Sequence, residues 1–148
     1  MTALITGQIN FLGARLLHGT DVQWLGTYAR YQIPLLEHDR RLFALVIKSD
    51  EAAGPGKHWL ALYAPHGLPK IEMFDSFGLP FNFYSLDQSF IHFSSCSIQS
   101  LNTKVCGHYE LLFIYLRSRG HSFNNGNIIL EKFHWRFSCS QDAWFISF

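Results

Sequence analysis

The sequence has little that would suit a membrane, a secreted disulfide framework or a polyanionic partner. It contains no run of about eighteen consecutive apolar residues, so no transmembrane helix is expected. Cysteine is scarce: Cys96, Cys106 and Cys139 are the full set. An odd count is a poor basis for disulfides. The opening stretch from Met1 to Gly7 lacks the basic and long apolar regions of a secretory signal. These absences lead to the expectation of a reducing intracellular compartment, where a cysteine is kept for packing, metal or chemistry. Excess charge of one sign is also missing. Lys and Arg total 12 against 11 Asp and Glu, and no basic run exceeds Arg40-Arg41. Electrostatics therefore give no support for a nucleic-acid partner. There is no Cys-x-x-Cys and no His-Glu-x-x-His, so no metal and no cofactor is expected. No repeat, low-complexity segment or linker divides the chain, and residues 1–148 read as a single domain.

Apolar and aromatic residues are plentiful. Hydrophobic residues make up 48% and aromatics 16%, including 14 Phe and 4 Trp, which is enough for a dense aromatic core. Ile9, Leu12, Leu16 and Leu17 recur at helical spacing and predict one amphipathic helix within the first twenty residues. A short extended or loop segment, Trp24 to Tyr28, follows. The continuous apolar run Leu42 to Ile47 reads as a buried strand. Two further strand-like runs, His58–Tyr63 and Ile71–Asp75, flank a Gly/Pro-rich connection and read as a hairpin. Residues 79–95 read as irregular, and Ser97–Leu101 as a short strand. Tyr109, Leu112, Phe113 and Leu116 form the stripe of the clearest helix, over about residues 106–119. Arg117, Arg119 and Gly120 mark its end. One or two strands are expected in residues 127–148. Helices on both sides of a hairpin-containing sheet indicate the α+β class.

The hairpin carries chemistry. A turn centred on His66 and Gly67 would set His58 directly opposite Asp75, with β-carbons about 4.5–5.5 Å apart. Asp75 could then fix the imidazole tautomer and leave the other ring nitrogen to act as a base. The competing readings are a structural histidine among the eight present, and an aspartate that merely caps a strand beside Ser76-Phe77-Gly78. Cys106 falls at the start of the strongest helix, where unpaired N–H groups and the helix dipole favour negative charge. That setting is expected to lower the thiol pKa. The backbone N–H of Cys106 could also bind an oxyanion, and Gly107 leaves the approach to the sulfur open. A buried cysteine packed as a small hydrophobe is the competing reading. Gln99 could reach the oxyanion across the loop from Ser100 to Val105. Cys96 and Cys139 read as structural.

Taken together, His58-Trp59, the stretch Met73 to Gly78, Gln99 and Val105-Cys106-Gly107 resemble the adenain family. That family comprises the adenovirus maturation protease and similar proteases of Maverick/Polinton-type elements. Its order His, acid, Gln, Cys and its Gln-x6-Cys-Gly spacing match, and Trp24 to Tyr28 is similar to its N-terminal Phe-Leu-Gly-Thr-Tyr. The resemblance implies a papain-like α+β fold, with a mixed or antiparallel sheet and the nucleophile at the N-terminus of a packed helix. It implies a cysteine endopeptidase acting on protein or peptide substrates, the structural precursors of a virus or mobile element, which it cleaves at Gly-containing sites. It carries Cys106 as nucleophile, His58 as general base, Asp75 as its orienter and Gln99 as oxyanion donor. Gly26, Thr27, Trp59 and Gly107 are the positions assigned to substrate binding. A host nucleus or a virion would be the location. The family's activating peptide bonds to a cysteine upstream of the Gln; Cys96 lies too close to Gln99 to match that position. The family's adenoviral members carry Glu where Asp75 stands. Asp is usual in the related proteases of ubiquitin-like modifiers, which leaves such a protease as an alternative. A catalytically silent peptide-binding domain of the same fold is another.

Overall fold

The computed structural model describes residues 3–30, 42–49, 58–64, 71–78, 91–93 and 106–121. Two helices and five strands follow in the order α1 (Thr6–Leu17), β1 (Gln23–Ala29), β2 (Phe43–Lys48), β3 (Trp59–Ala64), β4 (Ile71–Phe74), β5 (Ile91–Phe93) and α2 (Cys106–Ser118). The strands form one mixed sheet in sequence order. β2, β3 and β4 are antiparallel neighbours, and β1 and β5 flank them in parallel. The α+β class expected from the sequence is the observed one. β5 lies within the 79–95 stretch that the sequence suggested was irregular. The expected strands at Ser97–Leu101 and in residues 127–148 fall outside the described residues. No helix among the described residues is long and apolar enough to cross a membrane.

Strand alternation divides the core into two faces. Ala44, Val46, Trp59, Ala61, Tyr63 and Phe74 share one face with the buried sides of α1 and α2. Phe43, Leu45, Ile47, Leu60, Leu62, Ile71 and Met73 form the other, and they too are buried. A sheet buried on both faces accounts for the unbroken apolar runs, because no position along these strands needs a polar side chain.

Local chemistry sets where the helices begin and end. The side chain of Gln8 accepts the backbone N–H of Ile5 and satisfies one of the orphan donors at the start of α1. α2 closes on Gly120, whose φ of 89° needs a residue without a β-carbon. His121 N–H bonds to Leu116 O and Gly120 N–H to Arg117 O, a pair that ties off the last carbonyls of the helix. Gly13 lies flush against Trp24, where a β-carbon would come within 2.5 Å of the indole. That contact presses α1 onto β1.

One inward row of α2 fixes the helix along the hairpin. Cys106, Glu110, Phe113 and Arg117 recur every three or four residues and so share a side. Phe113 stacks on Phe74 of β4, with ring centroids 4.6 Å apart. Arg117 donates from Nε and Nη2 to the two oxygens of Glu72, both at 2.8 Å, and its guanidinium lies over the Tyr63 ring. Glu72 is almost fully buried. Arg117→Ala would remove the bidentate cationic partner of this buried carboxylate, and the folding free energy should fall by about 3 kcal/mol. Urea denaturation measures that loss.

Candidate active site

The register of the hairpin differs from the expected one. Ala61 pairs with Phe74, Leu62 with Met73 and Tyr63 with Glu72. Extended one step beyond the strands, this register sets Asp75 opposite Leu60 and Phe77 opposite His58, a slip of two residues. A slip of two keeps every side chain on its face, whereas a slip of one reverses it. His58 and Asp75 therefore stay on one side as diagonal neighbours, within reach of each other. His58 Nε2 and Asp75 Oδ1 are 2.6 Å apart. Phe77 stacks on the imidazole, with centroids 4.1 Å apart and planes tilted by 15°.

The turn after β4 sets the carboxylate. Gly78 N–H bonds to Asp75 O at 2.9 Å, closing a four-residue turn in which Gly78 takes a φ of 72°. Within it, Asp75 Oδ1 also accepts the Phe77 N–H at 2.9 Å, the local side-chain bond for which Asp is favoured in turns. The same oxygen thus anchors its own turn and meets the imidazole. If Asp75 is ionised it can only accept, which would place the ring proton on Nε2 and leave Nδ1 as the basic nitrogen. Asp75 is wholly buried and His58 is 5% exposed.

Cys106 is the first residue of α2, is 6% exposed and is in the free thiol form. The backbone N–H of Trp59, the residue after His58, hydrogen-bonds to its sulfur, as does that of Gly107. His58 and Asp75 thus meet where β3 begins and β4 ends, and Cys106 opens α2 beside Trp59, the residue after His58. The acidity of the thiol is not as expected. Burial pushes its pKa up from 9.0 to about 11, with the two N–H groups opposing and the carboxyls of Glu110 and Asp75 adding to the rise. The helix start is outweighed by the loss of water around the sulfur.

The positions assigned to substrate binding have packing contacts of their own. Trp59 is 1% exposed and donates its indole N–H to Leu4 O at 3.2 Å. Gly107 lies against Trp59, Ile9 and Leu4, all of which would be 3.3 Å from an added β-carbon. It keeps α2 close to α1 and β3. Gly26 has a φ of 111° at an irregularity in the β1–β2 pairing. Thr27 donates to Asn10 Oδ1 of α1 at 2.7 Å. Gln99, Cys96 and Cys139 lie outside the described residues.

Sequence reasoning missed Glu110. It is fully buried, one turn beyond Cys106 on α2. Oε2 accepts the Ala61 N–H at 3.0 Å and Oε1 the Ser76 N–H at 3.2 Å. Burial and the neighbouring Asp75 charge push its carboxyl well above the usual range. A signal was present: an acidic residue four positions after Cys106, inside a helix whose other core-facing residues are apolar. His58, Asp75 and Glu110 each place an atom within 4.8 Å of the others, a metal-like grouping. Their oxygens are already engaged by backbone N–H groups and imidazole, so a cation would have to displace those bonds.

No family model matches the chain, and no curated protein matches it.

The thiol makes a stability prediction. The folded chain holds a proton that the unfolded chain releases near pH 9.0, so this contribution is whole below that pH and is lost as pH rises through about 11. Relative to Cys106→Ala, wild type should lose about 2–3 kcal/mol over that interval. Paired chemical denaturation curves at the two ends of the range measure the difference.

Proposed function

We propose that this chain is a cysteine endopeptidase of papain-like architecture, with Cys106 as nucleophile, His58 as general base and Asp75 as the group that orients the base. One observation carries the reading: the 2.6 Å bond between His58 and Asp75 sits where the helix bearing Cys106 begins. The likeness of the sequence to the adenain pattern supports it independently.

With a thiol that keeps its proton at rest, attack and proton transfer go together. Nδ1 of His58 takes the proton as the sulfur adds to the scissile carbonyl, and Asp75 stabilises the imidazolium. The negative oxygen that develops is held by the Cys106 backbone N–H and by the side-chain amide of Gln99. The imidazolium then protonates the leaving amine, and a thioester forms. A water molecule gives its proton to His58 and attacks the thioester, the new acid leaves and the thiol is restored. Substrates are protein precursors cut at Gly-containing sites, a specificity that rests on the resemblance alone. A protease of ubiquitin-like modifiers is the second reading, favoured by aspartate at position 75.

Cys106→Ala should lower cleavage of a Gly-containing peptide by at least about 10³-fold while leaving the fold intact by circular dichroism. Undiminished cleavage would overturn the reading. In wild type, iodoacetamide should alkylate Cys106 near neutral pH. In His58→Ala the thiol lacks its base, and alkylation near neutral pH should fall sharply. A wild-type thiol inert at neutral pH would favour a silent peptide-binding domain. Labelling of Cys106 by a ubiquitin-like aldehyde probe would favour the modifier protease.

A further inference from the structure

We propose that Glu110 is a positioning residue for the His58–Asp75 pair, its carboxyl group holding β3 and the turn after β4 at a fixed separation. This rests on the peptidase reading. The argument begins where the ladder stops. Ala61–Phe74 is the last pair between β3 and β4. Beyond it one strand leads back to His58 and the other enters the turn of Asp75, and the backbones no longer bond directly to each other along that ladder.

Glu110 fills the gap from the helix side. One oxygen takes the Ala61 N–H and the other takes the Ser76 N–H. The Ser76 hydroxyl adds a further hydrogen bond. A side chain thus replaces the cross-strand bond the ladder would have made next. A buried N–H left without a partner costs about 1–3 kcal/mol, so both donors bind the clamp firmly. Ser76 directly follows Asp75, and Ala61 is three residues after His58. The span between these two N–H groups therefore sets the span between carboxylate and imidazole. Glu110 also stands one turn from Cys106 on the same helix, so a single rigid element carries both the nucleophile and the clamp.

The charged and titratable groups facing this pocket are His58 from the start of β3, Asp75 from the turn after β4, and Cys106 and Glu110 from α2. Ile9 of α1, and Leu4 just before that helix, bring apolar side chains to Gly107. Loosening the clamp misplaces Asp75, the imidazolium that forms as the thiol gives up its proton is less stabilised, and alkylation needs a higher pH.

The test is the rate of Cys106 alkylation by iodoacetamide against pH in the full chain, which needs no substrate. Glu110→Gln keeps one acceptor but turns an amide NH2 toward the other donor. Its alkylation at neutral pH should fall about tenfold, with the curve moved to higher pH, while the melting temperature drops by several degrees and the circular dichroism of the fold is kept. Ser76→Pro removes the same donor from the other side. Proline is favoured at the second position of such a turn, so the variant should fold and show the same shift. In an Asp75→Asn chain, adding Glu110→Gln should change nothing further, because the two act through one interaction. A curve that stays in place in Glu110→Gln would overturn the inference. So would a curve moved to lower pH, which would mean that Glu110 acts only as a repelling charge. A wild-type thiol inert at neutral pH, by contrast, would overturn the peptidase reading itself, and this inference with it.

Discussion

The placement of α2 on the β3–β4 hairpin is the constraint that everything else in this structure depends on. Four residues on one side of the helix each meet the sheet in a different way: a thiol at a backbone N–H, a carboxyl between two N–H groups, a ring on a ring, and a guanidinium on a carboxylate. Ridge-into-groove packing of apolar side chains alone would permit a helix to slide by a fraction of a turn at modest cost. Directional hydrogen bonds at two points along the row do not permit it. The helix is pinned in rotation by Glu110 and in translation by Arg117, and the position of the sulfur follows from both.

The polar members of that row are buried, and their energetics run against stability. The buried Glu72 is met by the cation Arg117. Taking the Glu110 carboxyl out of water instead raises its affinity for a proton, and the structure offsets this with backbone donors. The same holds for the thiol. A site built this way rests with its protons in place and separates charge only when a partner accepts it. Its reactivity therefore depends on the alignment of the imidazole more than on a preformed thiolate. This differs from the arrangement in which an exposed helix terminus holds an anionic sulfur.

Much of this was legible in the sequence, and the failures have identifiable causes. The apolar runs at residues 42–47 and 59–63 and the stripe from Tyr109 to Leu116 gave the strands and the helix, because burial on both faces leaves a continuous signal. Gly120 marked the end of α2 because only glycine suits that backbone. The pairing of His58 with Asp75 was anticipated through a register two residues away from the observed one. It still pointed to the right partner because side-chain parity repeats every two residues. Loop lengths are the weak element in such reasoning, since a Gly/Pro-rich connection does not announce where its turn is centred. The three-residue strand β5 is too short to show alternation. The elevated thiol pKa could not be read from sequence, because desolvation depends on what covers the sulfur rather than on its place in a helix. Glu110 was overlooked for a related reason: in a sequence, a glutamate in a helix looks like part of a solvated face until the partners of its oxygens are known.

The stacking of Phe77 on His58 has a consequence of its own. An aromatic ring held nearly parallel to the imidazole, 4.1 Å away, places the carbon-bound protons of that imidazole in its shielding cone. Their magnetic resonance signals should be displaced upfield from the positions of an unstacked imidazole. The stacked pair is therefore an internal reporter, and the state of the His58 ring can be followed in unlabelled protein without any substrate.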